Sequence, residues 1–201
     1  MIKTIVKSSF LITFIGILFG ILLNLTFTFT TPQIEKNIKD AKMNLLNESV
    51  GNLKYENNLL NDKIILGPNE LLGNNTNTDA YIARDINGTM VAVVIEATAH
   101  DGYGGDINLI TGINKDGNIL GVRIINHSET PGLGDYIEKK KSNWIDNFIG
   151  LNLSGDSSIW KTKKDMGQFD FRAGATITPR AVIKAVKKTL EYFKENQDKF
   201  K

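Results

Sequence analysis

The sequence contains no cysteine. A structural disulfide framework, thiol catalysis, haem attachment through Cys-x-x-Cys-His and cysteine-ligated iron–sulfur clusters are therefore excluded, and any redox cofactor must be held in another way. The compartment stays open, because reducing and oxidising surroundings both tolerate cysteine-free chains. An excess of one charge is also lacking: 24 basic residues stand against 22 acidic ones, for a formal net charge of +2. With no surface-wide field, no nucleic-acid partner is expected. The only two histidines, His100 and His127, are isolated and do not make a metal site. No Walker A sequence is present, Gly132-x-Gly134 lacks the third glycine of a dinucleotide fingerprint, and there is no internal repeat. The 201 residues leave room for one domain of about 100 to 150 residues and a terminal appendage.

What is present first is a long apolar run. From Ser8 to Ile34 there is no charged residue, and Phe10 to Phe29 is mostly Phe, Ile, Leu, Gly and Thr, enough to cross ~30 Å of hydrocarbon as a helix. The run exceeds the ~7 to 15 apolar residues of a signal peptide and its exit lacks an Ala-x-Ala site, so an uncleaved anchor is expected. Lys3 and Lys7 precede it, which by the positive-inside tendency leaves the N-terminus in the cytoplasm and sends the rest across the membrane.

Beyond Pro32, Ile34, Ile38, Ala41, Leu45 and Leu46 recur at helical spacing and predict an amphipathic helix. Gly51 to Asp79 has no clean period and reads mostly as loop. Two hairpins follow, Ala80–Asp85 with Thr89–Ala99 around Asn87-Gly88, and Ile107–Asn114 with Asn118–Asn126 around Asp116-Gly117; Val91, Val93 and Ile95 alternate toward one face. Ile137, Lys141, Trp144, Ile145 and Phe148 then suggest a helix with Lys139 to Lys141 on its wet side, followed by a strand. The last helix has Thr178 as its cap, Pro179 in its first turn, and Val182, Val186, Leu190 and Phe193 on its apolar face. The expected layout is an anchor over residues 1–34, a helical stalk and loop over 35–79, and an α+β domain over 80–201 with an antiparallel sheet and flanking helices.

Three segments have the composition of a site. Asp170-Phe171-Arg172-Ala173-Gly174-Ala175-Thr176-Ile177-Thr178-Pro179 sets small residues and two hydroxyls against the start of the last helix. Unpaired N–H groups and the helix dipole favour an anion such as phosphate there, and Gly174 and Ala175 let backbone approach closely. The same residues suit a plain cap at Thr178 with a glycine turn at Gly174, the reading that residue chemistry alone favours while leaving the anion site open. His127-Ser128-Glu129-Thr130-Pro131-Gly132-Leu133-Gly134-Asp135 reads as a rigid turn, with His127 as a loop hydrogen-bonding residue. Gly102-Tyr103-Gly104-Gly105 is a glycine-rich loop between hairpins.

Asp170 to Thr176 resembles the flavinylation motif Asp-x-x-Ser/Thr-Gly-Ala-Thr found in the G subunit of Rnf-type electron transport complexes and in the C subunit of the related Nqr complexes. There a flavin transferase moves the FMN part of FAD onto the final threonine hydroxyl. Ala173 departs from the motif, standing where Ser or Thr is usual and removing a possible hydrogen bond beside the loop. His127 to Gly134 resembles the His-x-Glu-Thr-Pro-Gly-Leu-Gly signature of the same families, Gly102 to Gly105 matches a third element, and Asp135-Tyr136-Ile137 and Ser142-Asn143-Trp144 look more like the Rnf protein than its Nqr cousin. The resemblance implies that 80–201 is an extracytoplasmic FMN-binding domain with covalent FMN on Thr176. It further implies cofactor contacts from Asp170, Gly174, Ala175, Thr178, Glu129, Thr130, Gly132, Leu133, Gly134 and Tyr103. The implied partners are the membrane, the other Rnf subunits and a flavin transferase, and the implied role is an electron relay in a ferredoxin:NAD ion-translocating oxidoreductase. An Nqr-type protein and a non-redox anchored binding or assembly module are the alternatives.

Overall fold

A computed structural model describes residues 2–201. It divides into two compact units, Met1–Lys42 and Met43–Lys201. Helix α1 runs Ile2–Val50, with Pro32 inside it, so the anchor and the following amphipathic stretch are one continuous helix. Its apolar portion is long enough to cross a membrane by length and composition. The hydroxyls of Thr26, Thr28, Thr30 and Thr31 each donate to the carbonyl four residues earlier, at 2.7–2.9 Å, which satisfies them without water.

The second unit is built on one antiparallel sheet in the order β1 (Lys63–Leu66), β2 (Thr78–Arg84), β3 (Met90–Ala99), β4 (Ile107–Asn114) and β5 (Ile119–Asn126). Both hairpins close the same way. The side-chain oxygens of Asp85 and Asn114 accept backbone N–H groups across their turns, and Gly88 (φ +77°) and Gly117 (φ +84°) supply the left-handed residue. Strand β1 is an addition to the expected layout: it lies in the segment whose sequence reads as loop and pairs along β2 from Lys63↔Tyr81 to Leu66↔Thr78. A bulge also corrects the alternation. Register passes from Ala83↔Ala92 to Arg84↔Met90, skipping Val91, which packs on the face opposite to Val93 and Ile95.

Both faces are covered. On one, Leu46 and Val50 of α1 pack with Leu59, Tyr81, Ala83, Ala92, Val94 and Ile110. The last turn of α1 comes down on Gly112 and Gly121, paired neighbours on β4 and β5; a Cβ on Gly112 would lie 2.1 Å from the Ser49 carbonyl oxygen. Arg123, nearly buried, pairs with Glu48 at 2.7 Å beside this contact. On the other face α2 (Ile177–Glu195) lays Val182, Val186, Leu190 and Phe193 over Val93, Ile95, Leu109 and Ile113, forming the main core.

Between β5 and α2 the expected helix around 137–148 is replaced by two 3-10 turns, Gly134–Ile137 and Trp144–Phe148. Ser142 separates them: its hydroxyl donates to the Tyr136 carbonyl at 2.6 Å and accepts from the Trp144 N–H, the local competition by which serine interrupts helices. The apolar residues are still buried, joining Trp160 and Phe169 in an aromatic cluster in which Phe148 and Phe169 approach to 4.5 Å. Among the described residues the expected strand before α2 is reduced to two isolated bridges, Thr162↔Phe169 and Arg172↔Ala175.

Candidate functional site

Antiparallel order brings the three segments together. The end of β3, the start of β4 and the end of β5 lie at the same edge of the sheet, so the 102–105 loop and the 127–134 turn are neighbours, and the N-terminus of α2 arrives beside them. They enclose a cleft of about 690 Å³, lined by Tyr103, Glu129, Thr130, Leu133, Gly134, Lys164, Phe171, Ala173, Gly174, Ala175, Thr176, Ile177 and Thr178. Small-molecule and cofactor sites fall in the range of roughly 300–1,000 Å³.

Thr130-Pro131-Gly132-Leu133 forms a turn closed by the Leu133 N–H on the Thr130 carbonyl at 3.1 Å, with Pro at its second position and Gly132 at its third with φ +79°. The Gly132 N–H donates to Asp135 Oδ1 at 2.9 Å, and this bond, with Lys141 assisting, holds the Asp135 carboxyl below the usual carboxylate range. The Arg172–Ala175 turn is built alike, with an N–H to carbonyl bond of 3.1 Å and Gly174 at φ +83°. Ala173 is exposed at this turn, and the Arg172 guanidinium lies 4.7 Å over the Tyr136 ring, whose hydroxyl donates to the Ala175 carbonyl. Burial pushes the Tyr136 phenol up, which keeps it a donor.

The cap position falls on Thr176 and not on Thr178 as expected. Helix α2 starts at Ile177, so Thr176 is the cap residue and Thr178 lies within the first turn. Thr176 makes no side-chain capping bond and is half-buried on the cleft wall. Thr178 is 1% exposed, and its hydroxyl donates to Glu129 Oε2 at 2.5 Å, so it does not cap the helix. The first N–H groups of α2 have no partner within the helix and are available to an anion.

Of the residues singled out by sequence, Thr176, Gly174, Ala175, Thr178, Glu129, Thr130, Leu133, Gly134 and Tyr103 line the cleft. Asp170 and Gly132 do not. The Asp170 side chain is exposed and pairs with Lys163 at 2.6 Å, while its carbonyl accepts the Trp144 indole N–H at 2.7 Å. Lys164, Phe171 and Ile177 line the cleft without belonging to the sequence-derived set. Phe171 and Ile177 stand inside the quoted 170–179 segment as its two large apolar residues, which is their available signal; Lys164 has none. Tyr103, Leu133, Phe171 and Ile177 are exposed apolar surface around the cleft, a suitable wall for a planar ring. His127 accepts the Glu129 N–H at Nδ1 and its Nε2 bonds Glu138, an arrangement internal to the loop. A second cleft of about 390 Å³ lies between Pro68–Asn75 and α2, but none of its lining comes from the three signatures, Thr98–Asp101 standing just before the first, and its charges are paired, Lys184 with Asp101, Lys188 with Glu70 and His100 with Asp106.

The model of the FMN-binding domain matches residues 102–191, and that of the RnfG N-terminal region matches 1–48. The G subunit of the ion-translocating oxidoreductase complex from Aliivibrio fischeri (strain MJ11) is 38% identical over 98% of this chain and 94% of its own length. Its namesake from Shewanella loihica is 41% identical over 97% of this chain and 92% of its own length. Among solved structures, Shewanella oneidensis NqrC shares the fold with a TM-score of 0.50 at 22% identity, covering 68% of each chain. Near-complete coverage at this identity means that the chain belongs to the family of G subunits of ion-translocating oxidoreductase complexes.

Proposed function

We propose that this chain relays electrons through an FMN esterified to Thr176, as the membrane-anchored G subunit of an Rnf-type complex exchanging electrons between ferredoxin and NAD. The observation that carries the reading is the pair of threonines. Thr176 presents an uncapped hydroxyl to the cleft at the start of α2, whereas the Thr178 hydroxyl is buried and engaged by Glu129. In the maturation step the Thr176 oxygen bonds to the FMN phosphorus of FAD, the pyrophosphate P–O bond breaks, AMP leaves and the hydroxyl proton is released.

FMN supplies the redox chemistry when bound. The protein's part is to hold it: Thr176 as the ester oxygen, the N–H groups and dipole of α2 toward the phosphate charge, and Tyr103, Leu133, Phe171 and Ile177 as apolar walls. Thr176 is an attachment point and no acid, base or nucleophile in turnover. Ester attachment leaves the ring unmodified, so its potential is set by contacts and burial.

The anchor reading rests on the apolar run of α1 and on Lys3 and Lys7 before that run, with the N-terminus cytoplasmic and the FMN domain over 80–201 on the other side. Reporter fusions after Lys201 test it: activity of a cytoplasm-only reporter there contradicts the topology, and a mature N-terminus near Gln33 contradicts the anchor. Flavin fluorescence that stays with the band on denaturing electrophoresis tests the covalent reading, and its absence from protein matured with flavin transferase and FAD returns the chain to a non-redox assembly role.

A further inference from the structure

The cleft contains one carboxylate, and it is not on the surface. Glu129 is 5% exposed and has no ion-pair partner among the described residues. Burying such a group is unfavourable unless hydrogen bonds replace water, and here they do. Oε1 accepts the backbone N–H of Gly104 at 3.0 Å, from a loop 25 residues earlier. Oε2 accepts the Thr178 hydroxyl at 2.5 Å, from a helix 49 residues later. The Glu129 N–H donates to His127 Nδ1 at 2.9 Å, which by this pattern assigns the ring proton to Nε2, donating to Glu138 at 2.8 Å.

Space is reserved for the same carboxylate. A Cβ on Gly102 would stand 2.8 Å from Oε1, and one on Gly134 would stand 2.7 Å from Oε2 and 2.9 Å from the Thr178 hydroxyl. Gly134 therefore admits Glu129 as well as bordering the cleft, and Gly102 admits it beside a closer approach to the Gly105 carbonyl oxygen, 2.2 Å from such a Cβ. All three segments around the cleft converge on one side chain.

We infer that Glu129 is a positioning residue: its carboxylate latches the Gly102–Gly105 loop and the first turn of α2 to the Thr130–Gly134 turn, and so sets the shape of the cleft that orients the flavin. The orientation part rests on the function proposed above; the latch does not. Each oxygen already serves a protein donor, which is the arrangement of a group that holds walls and not of one kept free for a ligand.

The test uses the full chain, with and without maturation by flavin transferase and FAD. In the flavin-free Thr176→Val background, Glu129→Ala is expected to raise amide hydrogen exchange in peptides covering 102–105 and 176–180 while leaving the β3–β4 ladder protected. Glu129→Gln keeps an oxygen for Gly104 and an amide N–H for Thr178, and should restore most of that protection. Thr178→Val removes one arm alone and should raise exchange at the α2 start with Gly104 still protected, which keeps the inference open to refutation even where Glu129→Ala does not fold. In matured protein, Glu129→Ala should carry the same flavin mass on Thr176 as wild type yet lose most of the visible-region circular dichroism of the flavin, with Glu129→Gln close to wild type. Unchanged exchange at both segments overturns the latch. Locally raised exchange with unchanged flavin dichroism overturns its orienting role. No flavin mass on wild-type Thr176 overturns the proposed function and leaves the latch to be judged by exchange.

Discussion

Two regions of the domain bring backbone into close contact over glycine, and they do so for different ends. Under the last turn of α1, Gly112 and Gly121 remove side chains so that the Ser49 carbonyl can rest on the sheet, and the contact is backbone against backbone. At the cleft, Gly134 removes a side chain so that one carboxylate can be buried, and a Cβ there would first meet the end of Glu129 at 2.7 Å. The contact at Gly112 cannot yield without moving a helix; the one at Gly134 can yield by a rotamer change. The cleft has backbone contacts of its own, with a Cβ on Gly104 lying 2.0 Å from the Ser128 carbonyl oxygen, but its side at Gly134 is held by side-chain hydrogen bonds that chemistry can tune one at a time.

The largest effect is expected for Gly112→Val, whose Cβ would meet the Ser49 carbonyl oxygen at 2.1 Å: a loss of about 3 kcal/mol or more in denaturant unfolding, at the upper end of overpacking costs. Gly134→Ala should cost less, roughly 1–2 kcal/mol, because Glu129 and Thr178 can shift, while flavin dichroism changes more than stability does. If Gly134→Ala is as destabilising as Gly112→Val, the contrast between the regions fails. Thr178→Val removes the hydroxyl that serves the buried carboxylate and should cost about 1–3 kcal/mol while keeping covalent flavin.

The smallest effect concerns the turn that presents Lys164. Asp165 accepts from Nε and Nη2 of Arg180 on α2, at 2.7 and 2.6 Å, and Arg180 with Thr162 lowers its carboxyl from 3.8 to about 2. The folded-state value is depressed, so this tie contributes above the unfolded value and is lost as pH falls from 3.8 toward about 2. In Arg180→Met the acid limb of an unfolding-versus-pH curve should be slightly flatter in that window. An identical acid limb assigns the tie no role in stability.

The hairpins are legible in the sequence because Asn87-Gly88 and Asp116-Gly117 announce turns by local chemistry, and α2 because its apolar residues repeat at helical spacing. Strand β1 is not, because four residues bounded by Asn-rich loops become a strand only when β2 offers its edge. The 137–148 stretch carries a helical apolar period, yet the Ser142 hydroxyl decides for two 3-10 turns, and period alone does not weigh that bond. The site is legible wherever it lies in a contiguous motif. Lys164 escapes because folding alone brings it to the cleft, and Thr178 resembles a cap because its true partner, Glu129, is distant in sequence. Val91 belongs to the same class, since the bulge that turns it over is set by its neighbour strand.

The most direct test of the account is peptide mass mapping of the full chain matured with flavin transferase and FAD, comparing wild type, Thr176→Val and Thr178→Val. The free hydroxyl at the start of α2 and the engaged one beside it predict an FMN phosphoester on Thr176 in wild type and Thr178→Val, and none in Thr176→Val. FMN mapped to Thr178, or retained in Thr176→Val, would contradict the assignment of the attachment site; a wild-type chain with neither threonine modified would contradict the electron-carrier reading itself.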